Sequence, residues 1–427
     1  MNGRAAALLR LVFGLIFLIY ALDAALAAPE VSGIDGMPPY KMVRTLEYVQ
    51  DSIVAGDHAA IAMQDYLLKT IDKRLRAAKV DEFDDSRNVD AALIYAMSGG
   101  NPETLALLAS RDVEGHFDHR LVEALGVYFS GKPEQARPNL EAVEKGYRDT
   151  AIGPYLALVT ANSMVRHDPK KALVLYDWVR LLAPGTILEE SALRRSIEVS
   201  DELKLPGKGL AYSRMYAERF LHSPYAGQFA DLFVRLVVDN AGTIDQARVL
   251  AILAGMDDDH QSGVYLRIAR RAAVAGRTGL ARSAAARAAE LSEGKDRIAT
   301  TLAGFYGDLA SVPTAEVQTA MASLAAVPEG SLSSRDQALK AAALAVARQV
   351  AAIPTPESVA QASRANMHER MPESKTIYPT DHAEAPSHPV HEQAADRHEA
   401  EKQFAAFVDA KRAKLKAVDA LLKKDSK

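Results

Sequence analysis

Pro169-Lys170-Lys171-Ala172-Leu173-Val174-Leu175-Tyr176 decides the fold. Proline stands where a helix begins, a position at which its missing N–H costs nothing. Ala172 follows three residues later, and Tyr176 lies four residues beyond it on the same helix face. A small residue that permits close approach, followed by a large one that fills space, is the pattern of the second helix in a tetratricopeptide-like hairpin.

Working outward, short breakers recur, each expected to precede a new helix: Gly-Asn-Pro at 100–102, Gly-Lys-Pro at 131–133, His-Asp-Pro at 167–169, Pro-Gly-Lys-Gly at 206–209, Ala-Gly-Thr at 241–243 and Ala-Gly-Arg at 275–277. The small residue a few positions past them gives Ala136, Ala172, Ala211, Ala247 and Ala281, at intervals of 36, 39, 36 and 34. Tetratricopeptide repeats run at about 34 residues. In Leu210-Ala211-Tyr212-Ser213-Arg214-Met215-Tyr216 the aromatic comes five residues after the alanine, so the repeat is degenerate. Tyr40 to Val54 is amphipathic, with Val43, Leu46, Val49 and Ile53 at three- and four-residue steps and Lys41, Arg44, Glu47 and Asp51 between them. The β-branched cluster Phe233 to Val238 also sits inside helical spacing. The expectation is an all-α, tetratricopeptide-like helical-hairpin solenoid over 28–352; the alternative is an irregular helical domain whose breakers fall one hairpin apart.

The two ends read differently. Arg4 and Arg10 precede an apolar run from Leu11 to Leu22, and Ala25-Leu26-Ala27 supplies a small-x-small cleavage pattern, so residues 1–27 are expected to be a cleaved secretory signal. The apolar run is shorter than the roughly 20 residues of a membrane span, and no later segment approaches one. Export in a diderm bacterium places the chain in the periplasm. Residues 353–393 carry Pro354, Pro356, Pro372, Pro379, Pro386 and Pro389 with several histidines, as a disordered linker would. Residues 394–427 are charged, with Phe404, Phe407, Val408, Leu415, Val418, Leu421 and Leu422 as a narrow stripe, and are expected to be an amphipathic helix.

Composition excludes much chemistry. The 427 residues hold 51 basic against 55 acidic side chains, a formal charge of -4, which lacks the footprint of a nucleic-acid binder. Cysteine is absent, removing disulfides, thiolate nucleophiles and cysteine metal sites. His116-Phe117-Asp118-His119 offers two imidazoles at a metal-ligand spacing, but Phe117 and Asp118 read better as the entry to a helix running to Ser130, and no third ligand is evident in the sequence nearby. Asp257-Asp258-Asp259-His260 reads as an acidic helix N-terminus. Ser292-Glu293-Gly294-Lys295 matches a bare S-x-x-K but lacks its companion motifs, and reads as a helix end capped by Gly294. Adjacent Glu189 and Glu190 do not by themselves make an acid/base pair. No catalytic residue, cofactor or metal site is expected. Trp178, beside Tyr176, is either core filling or an exposed partner anchor.

Three stretches resemble the MotC family of periplasmic motility proteins. They are Pro38-Pro39-Tyr40-Lys41-Met42-Val43-Arg44-Thr45-Leu46-Glu47-Tyr48-Val49-Gln50-Asp51-Ser52-Ile53-Val54-Ala55-Gly56-Asp57; Leu182-Ala183-Pro184-Gly185-Thr186-Ile187-Leu188-Glu189-Glu190-Ser191-Ala192-Leu193-Arg194-Arg195-Ser196; and Tyr216-Ala217-Glu218-Arg219-Phe220-Leu221-His222-Ser223-Pro224-Tyr225-Ala226. The resemblance implies a non-catalytic role: binding the periplasmic region of the stator subunit MotB, in support of flagellar rotation and chemotaxis. No family ligand residues transfer. A contact surface is expected along residues 150–290, with Arg194, Arg195 and Arg219 as candidate surface charges beside Trp178. The rival readings are a general periplasmic adaptor of a cell-envelope complex and a cell-wall-acting enzyme; the latter would need a compact catalytic domain after the solenoid, where the sequence has a linker and one helix.

Overall fold

The structure, a computed structural model, describes residues 36–352. The expected signal, linker and terminal helix lie outside the described residues. Seventeen α-helices and three short 3-10 turns make up the described residues, with no strand among them. In chain order the first nine helices are α1 (Pro39–Val54), α2 (Ala60–Ala77), α3 (Ser86–Met97), α4 (Pro102–Arg111), α5 (His119–Phe129), α6 (Pro133–Glu144), α7 (Gly153–Met164), α8 (Pro169–Leu182) and α9 (Ile187–Glu202). The remaining eight are α10 (Pro206–Arg219), α11 (Ala226–Asp239), α12 (Gln246–Ala254), α13 (Asp258–Val274), α14 (Thr278–Ser292), α15 (Arg297–Ser311), α16 (Val317–Ala326) and α17 (Ser334–Ala351).

Local chemistry sets the helix starts. Proline occupies the first position of α1, α4, α6, α8 and α10. Side-chain oxygens of Asp85, Asn101, Asp118, Asp168, Thr186, Asp245, Asp257, Asp296 and Ser333 accept backbone N–H groups as N-caps. Each such cap contributes about 1 kcal/mol, so the breaks between helices are chemically specified rather than loose. One breaker shifts role: Pro206 is the first residue of α10, so Pro-Gly-Lys-Gly opens that helix instead of preceding it.

Most consecutive helices pack on one another along the chain, α12 resting instead on α10, and alternate helices touch as well: α1 with α3, α7 with α9, α9 with α11, α11 with α13, and α13 with α15. The helices of the second series, α6, α8, α10, α12 and α14, begin at Pro133, Pro169, Pro206, Gln246 and Thr278, at intervals of 36, 37, 40 and 32. The alanine phasing holds only in part. Ala136, Ala172 and Ala281 are buried, but Ala211 and Ala247 are exposed. In α10 the close approach falls on Gly209, where an added Cβ would lie 2.8 Å from Leu236 Cδ2 of α11. Buried Leu210 follows it, turning Ala211 outward. The β-branched cluster Phe233 to Val238 is helical, within α11.

One core runs from Met42 to Ala347. Its aromatic centre lies between α10 and α11, where Tyr216 stacks on Phe229 at 4.2 Å and Phe229 on Phe233 at 5.9 Å, with Phe220 against Tyr216. The chain also returns on itself. Along α1, Glu47 accepts the Tyr155 hydroxyl of α7 at 2.7 Å, Gln50 donates to the Ser98 carbonyl at 3.0 Å, and Asp51 accepts the Ile187 N–H that begins α9 at 3.0 Å. The polar residues between the apolar positions of α1 therefore divide: Lys41 and Arg44 face water, while Glu47 and Asp51 join helices more than a hundred residues away.

Candidate partner-binding region

The expected contact region contains two different arrangements. The first is a buried charge network at the N-terminus of α9. Glu189 and Glu190 stand in the first turn, where the helix dipole favours carboxylates. Their side chains are only 2% and 0% exposed. Glu189 accepts the Gly185 N–H at 2.6 Å and Arg219 at 2.5 Å. Glu190 is gripped by Arg194 one turn on, through Nε at 2.7 Å and Nη2 at 2.9 Å, and also accepts the Tyr216 hydroxyl at 2.8 Å. Burial, reinforced by the Glu190 charge, pushes the Tyr216 hydroxyl far above its ordinary pKa, so it remains a donor. Arg194 further donates to Gln228 at 2.8 Å and lies over the Tyr225 ring at 4.8 Å. These two glutamates have their acceptor sites taken by α9, α10 and the α8–α9 turn. They hold three elements together and offer no free acid or base.

One of the candidate surface charges is consequently committed inside the protein, and a second is tied to the network from the surface. Arg194 is 14% exposed, so it is no outward-facing charge; Arg219 is 49% exposed yet anchored on Glu189. Trp178 is half-buried against the core, with the Arg148 guanidinium 5.9 Å from its ring centre. Arg148 is itself tied to Glu144 at 2.8 Å. Arg195 opens onto a recess.

That recess is the second arrangement, a groove of about 730 Å³ contributed by α5 through α9. Its floor is a chain of neutral hydrogen bonds: the Tyr176 hydroxyl donates to Asn162 Oδ1 at 2.8 Å, and Asn162 Nδ2 donates to the Tyr128 hydroxyl at 3.3 Å. Burial holds the Tyr176 hydroxyl protonated. The rim is charged, with Arg195 beside Glu198 at 3.1 Å and Arg166 beside Glu134 at 3.8 Å. A polar floor with exposed, exchangeable ion pairs above it suits a polypeptide, whose backbone supplies both donors and acceptors. Sequence reading singled out Arg195 and Tyr176 but not Tyr128, Asn162, Glu134 or Arg166. Tyr128, Glu134 and Asn162 come from three different helices and Arg166 from the turn after α7, so no single helix face marks them.

The other clusters fall where local rules place them. Asp257 caps α13 by accepting the His260 N–H at 3.0 Å, and Asp258 pairs with Lys295 at 2.7 Å. Gly294 adopts φ +70° just past the end of α14, as a terminating glycine does. Asp118 caps α5, which ends at Phe129 with Ser130 as its C-cap; His119 is the first helical residue and His116 lies in the preceding loop.

The profile of the family described as Chemotaxis protein MotC matches residues 2–427. A curated relative, "Chemotaxis protein MotC" of Rhizobium meliloti (strain 1021), is 51% identical over 342 residues, covering 80% of this chain and 79% of its own. The chain belongs to the MotC family. No solved structure matches it. The three stretches that carry the MotC resemblance are separated in sequence but meet in space: Asp51 of the first accepts from Ile187 of the second, whose Glu189 and Glu190 accept from Arg219 and Tyr216 of the third. The stretches on which the resemblance rests thus meet in an internal joint of this MotC-family chain. It holds α9, one of the helices that line the groove.

Proposed function

We propose that this MotC-family chain acts in the periplasm as a non-catalytic scaffold that binds the periplasmic region of the stator subunit MotB, and that flagellar rotation and chemotaxis depend on it. The observation that carries the reading is the 51% identity to a chemotaxis protein across four-fifths of the chain. The sequence of residues 1–27 supports export, and among the described residues no helix is long and apolar enough to cross a membrane. We read the stacked helices as a degenerate tetratricopeptide-like solenoid, because the alternate helices α7, α9, α11, α13 and α15 pack in series with starts 32 to 39 residues apart. A partner segment laid in such a groove binds through many modest contacts, and binding shifts that partner toward the bound conformation by mass action.

The test is a clean deletion strain scored for swimming while flagellar filaments are counted, together with co-precipitation against MotB. Paralysed cells with normal filaments and MotB recovered with the protein support the reading. Normal swimming, or MotB failing to co-purify under conditions that preserve stator complexes, removes it.

A further inference from the structure

The helical body holds one group of side chains that the motility reading leaves unused. His116 lies in the loop between α4 and α5, only 17% exposed, and three carboxylates converge on its ring. On one side, Asp112 accepts from Nδ1 at 3.1 Å. On the other, Nε2 faces Asp84 Oδ1 at 3.0 Å and Glu114 Oε2 at 3.6 Å. We infer that His116 Nε2, Asp84 and Glu114 form a binding site for a divalent transition-metal ion of the zinc type.

Three observations carry the assignment. The first is how the imidazole is held. Asp112 is 2% exposed and is fixed by the N–H groups of Gly115 at 2.9 Å, His116 at 3.0 Å and Phe117 at 2.8 Å. Phe117 in turn is buried against Phe83 at 5.3 Å. A buried carboxylate on Nδ1 places the Nδ1–H there and turns the Nε2 lone pair toward Asp84 and Glu114; metal-bound histidines are oriented by this kind of outer partner.

The second is charge. Among the described residues, no lysine or arginine pairs with Asp84, Asp112 or Glu114; their ion pairs are with His116 alone. With Nδ1–H given to Asp112, Nε2 faces two carboxylates and is satisfied either by a proton or by a metal ion between them. A single proton on Nε2 would leave the group at a net -2, whereas a divalent ion bound to neutral His116 leaves it at -1 and satisfies both outer carboxylates.

The third is distance. The three donor atoms lie within 4.8 Å of one another. Around an ion bonded at about 2.1 Å, neighbouring donors stand about 3.0–3.4 Å apart, close to the two separations from Nε2. An imidazole in the set favours zinc, nickel, cobalt or copper over magnesium and calcium, which take oxygen alone. Asp84 and Glu114 are 66% and 60% exposed, so the remaining coordination positions open to water. Asp84 ends the 3-10 turn Val80–Asp84 that follows α2, so an ion there would clip that turn to the α4–α5 loop. His119, the other half of the sequence pair, takes no part in the group.

The experiment uses the full chain, stripped of metal by a chelator and then titrated with zinc while thermal unfolding is followed. Zinc should raise the midpoint in a saturable way for the wild type and for His119→Gln, and the rise should be lost in His116→Gln and in Asp84→Asn. Asp84 is largely exposed, so its variant keeps the test open if His116→Gln fails to fold. Calorimetry counts the ions, because the histidines at 368, 382, 388, 391 and 398 can take up zinc on their own. Equal uptake and an equal midpoint response in the wild type and both site variants would overturn the inference. So would no response to zinc, or a response to calcium as large as that to zinc.

Discussion

Asp51 of α1 caps a helix that begins 136 residues later: its Oδ1 accepts the Ile187 N–H at 3.0 Å. The first N–H groups of any helix lack an intrahelical partner, and here a side chain from a distant element supplies one. Thr186 caps the same helix locally through the Glu189 N–H, so α9 is capped both from its own turn and from α1.

Removing that acceptor should cost what a helix cap is worth. Asp51→Ala is expected to lose about 1 kcal/mol, read as a lower urea midpoint at unchanged slope. Burial raises the Asp51 pKa, opposed by the Ile187 N–H and assisted by Glu47. A raised folded value means that its contribution is full below the ordinary carboxylate pKa of about 3.9 and is lost as pH rises through the folded value. Asp51→Asn, which keeps an acceptor without the charge, should therefore gain on the wild type as pH climbs from 4 toward 7.

The opposite sign is expected at the other end of the body. Burial would raise Asp336, but hydrogen bonds from Ser333 and Arg270 outweigh it and hold its carboxyl below the usual range. A lowered folded value gives stability that is present above about pH 3.9 and is lost as pH falls through it. Asp336→Asn should flatten the acid limb of the stability curve between pH 5 and pH 3, measured by urea midpoints at each pH.

Glu190 is fully buried and depends on Arg194 for its charge balance. Truncating only the arginine, Arg194→Ala, should cost about 3–5 kcal/mol because a carboxylate is left uncompensated. The double variant Glu190→Leu with Arg194→Leu should recover much of that loss. A double-mutant cycle in urea reads both, and a small single-variant effect would mean that Tyr216 alone satisfies Glu190.

Steric limits are testable at Gly209. A side chain there meets Leu236, which is fully buried, so Gly209→Val should destabilise by about 1–3 kcal/mol. Combining it with Leu236→Ala should cost less than the two separate losses added together, whereas strict additivity would show that the two positions do not press on each other.

Arg195 separates binding from folding. Its ion pair with Glu198 is half-exposed, and such pairs contribute about 1 kcal/mol or less. Arg195→Glu should therefore leave the melting curve nearly unchanged while weakening capture of the MotB periplasmic region. Full capture by this variant would place the contact away from the groove.

Helices were legible because their signals are local. Pro169 at a helix start and Asp118 and Asp257 at helix entries act within one turn, and the three-to-four-residue spacing of Val43, Leu46, Val49 and Ile53 marks a buried face. The repeat phase was less legible, because burial of a small residue depends on the facing helix. Ala211 and Gly209 are both small, and only the position of Leu236 shows which one is pressed.

The site candidates fared unevenly for the same reason. Arg194 read as a surface charge in a linear pattern, since nothing in the sequence tells that Glu190, which it grips, is fully buried. His116 was read with His119, which takes no part in the group, whereas Glu114, two positions earlier, and Asp84, 32 positions earlier and 3.0 Å from the ring, do.

The sequence by itself determined an all-helical body with specified helix starts, no cysteine chemistry, and membership in a motility family. Those properties follow from composition, from hydrogen bonding within a turn, and from identity position by position. Tertiary structure alone decided that α1 folds back to cap α9, that the glutamates of α9 are structural, that Tyr128, Asn162 and Tyr176 share one groove floor, and that three carboxylates meet at His116. Each of these joins residues distant in sequence, and their meeting depends on how every intervening helix packs, which no local pattern encodes.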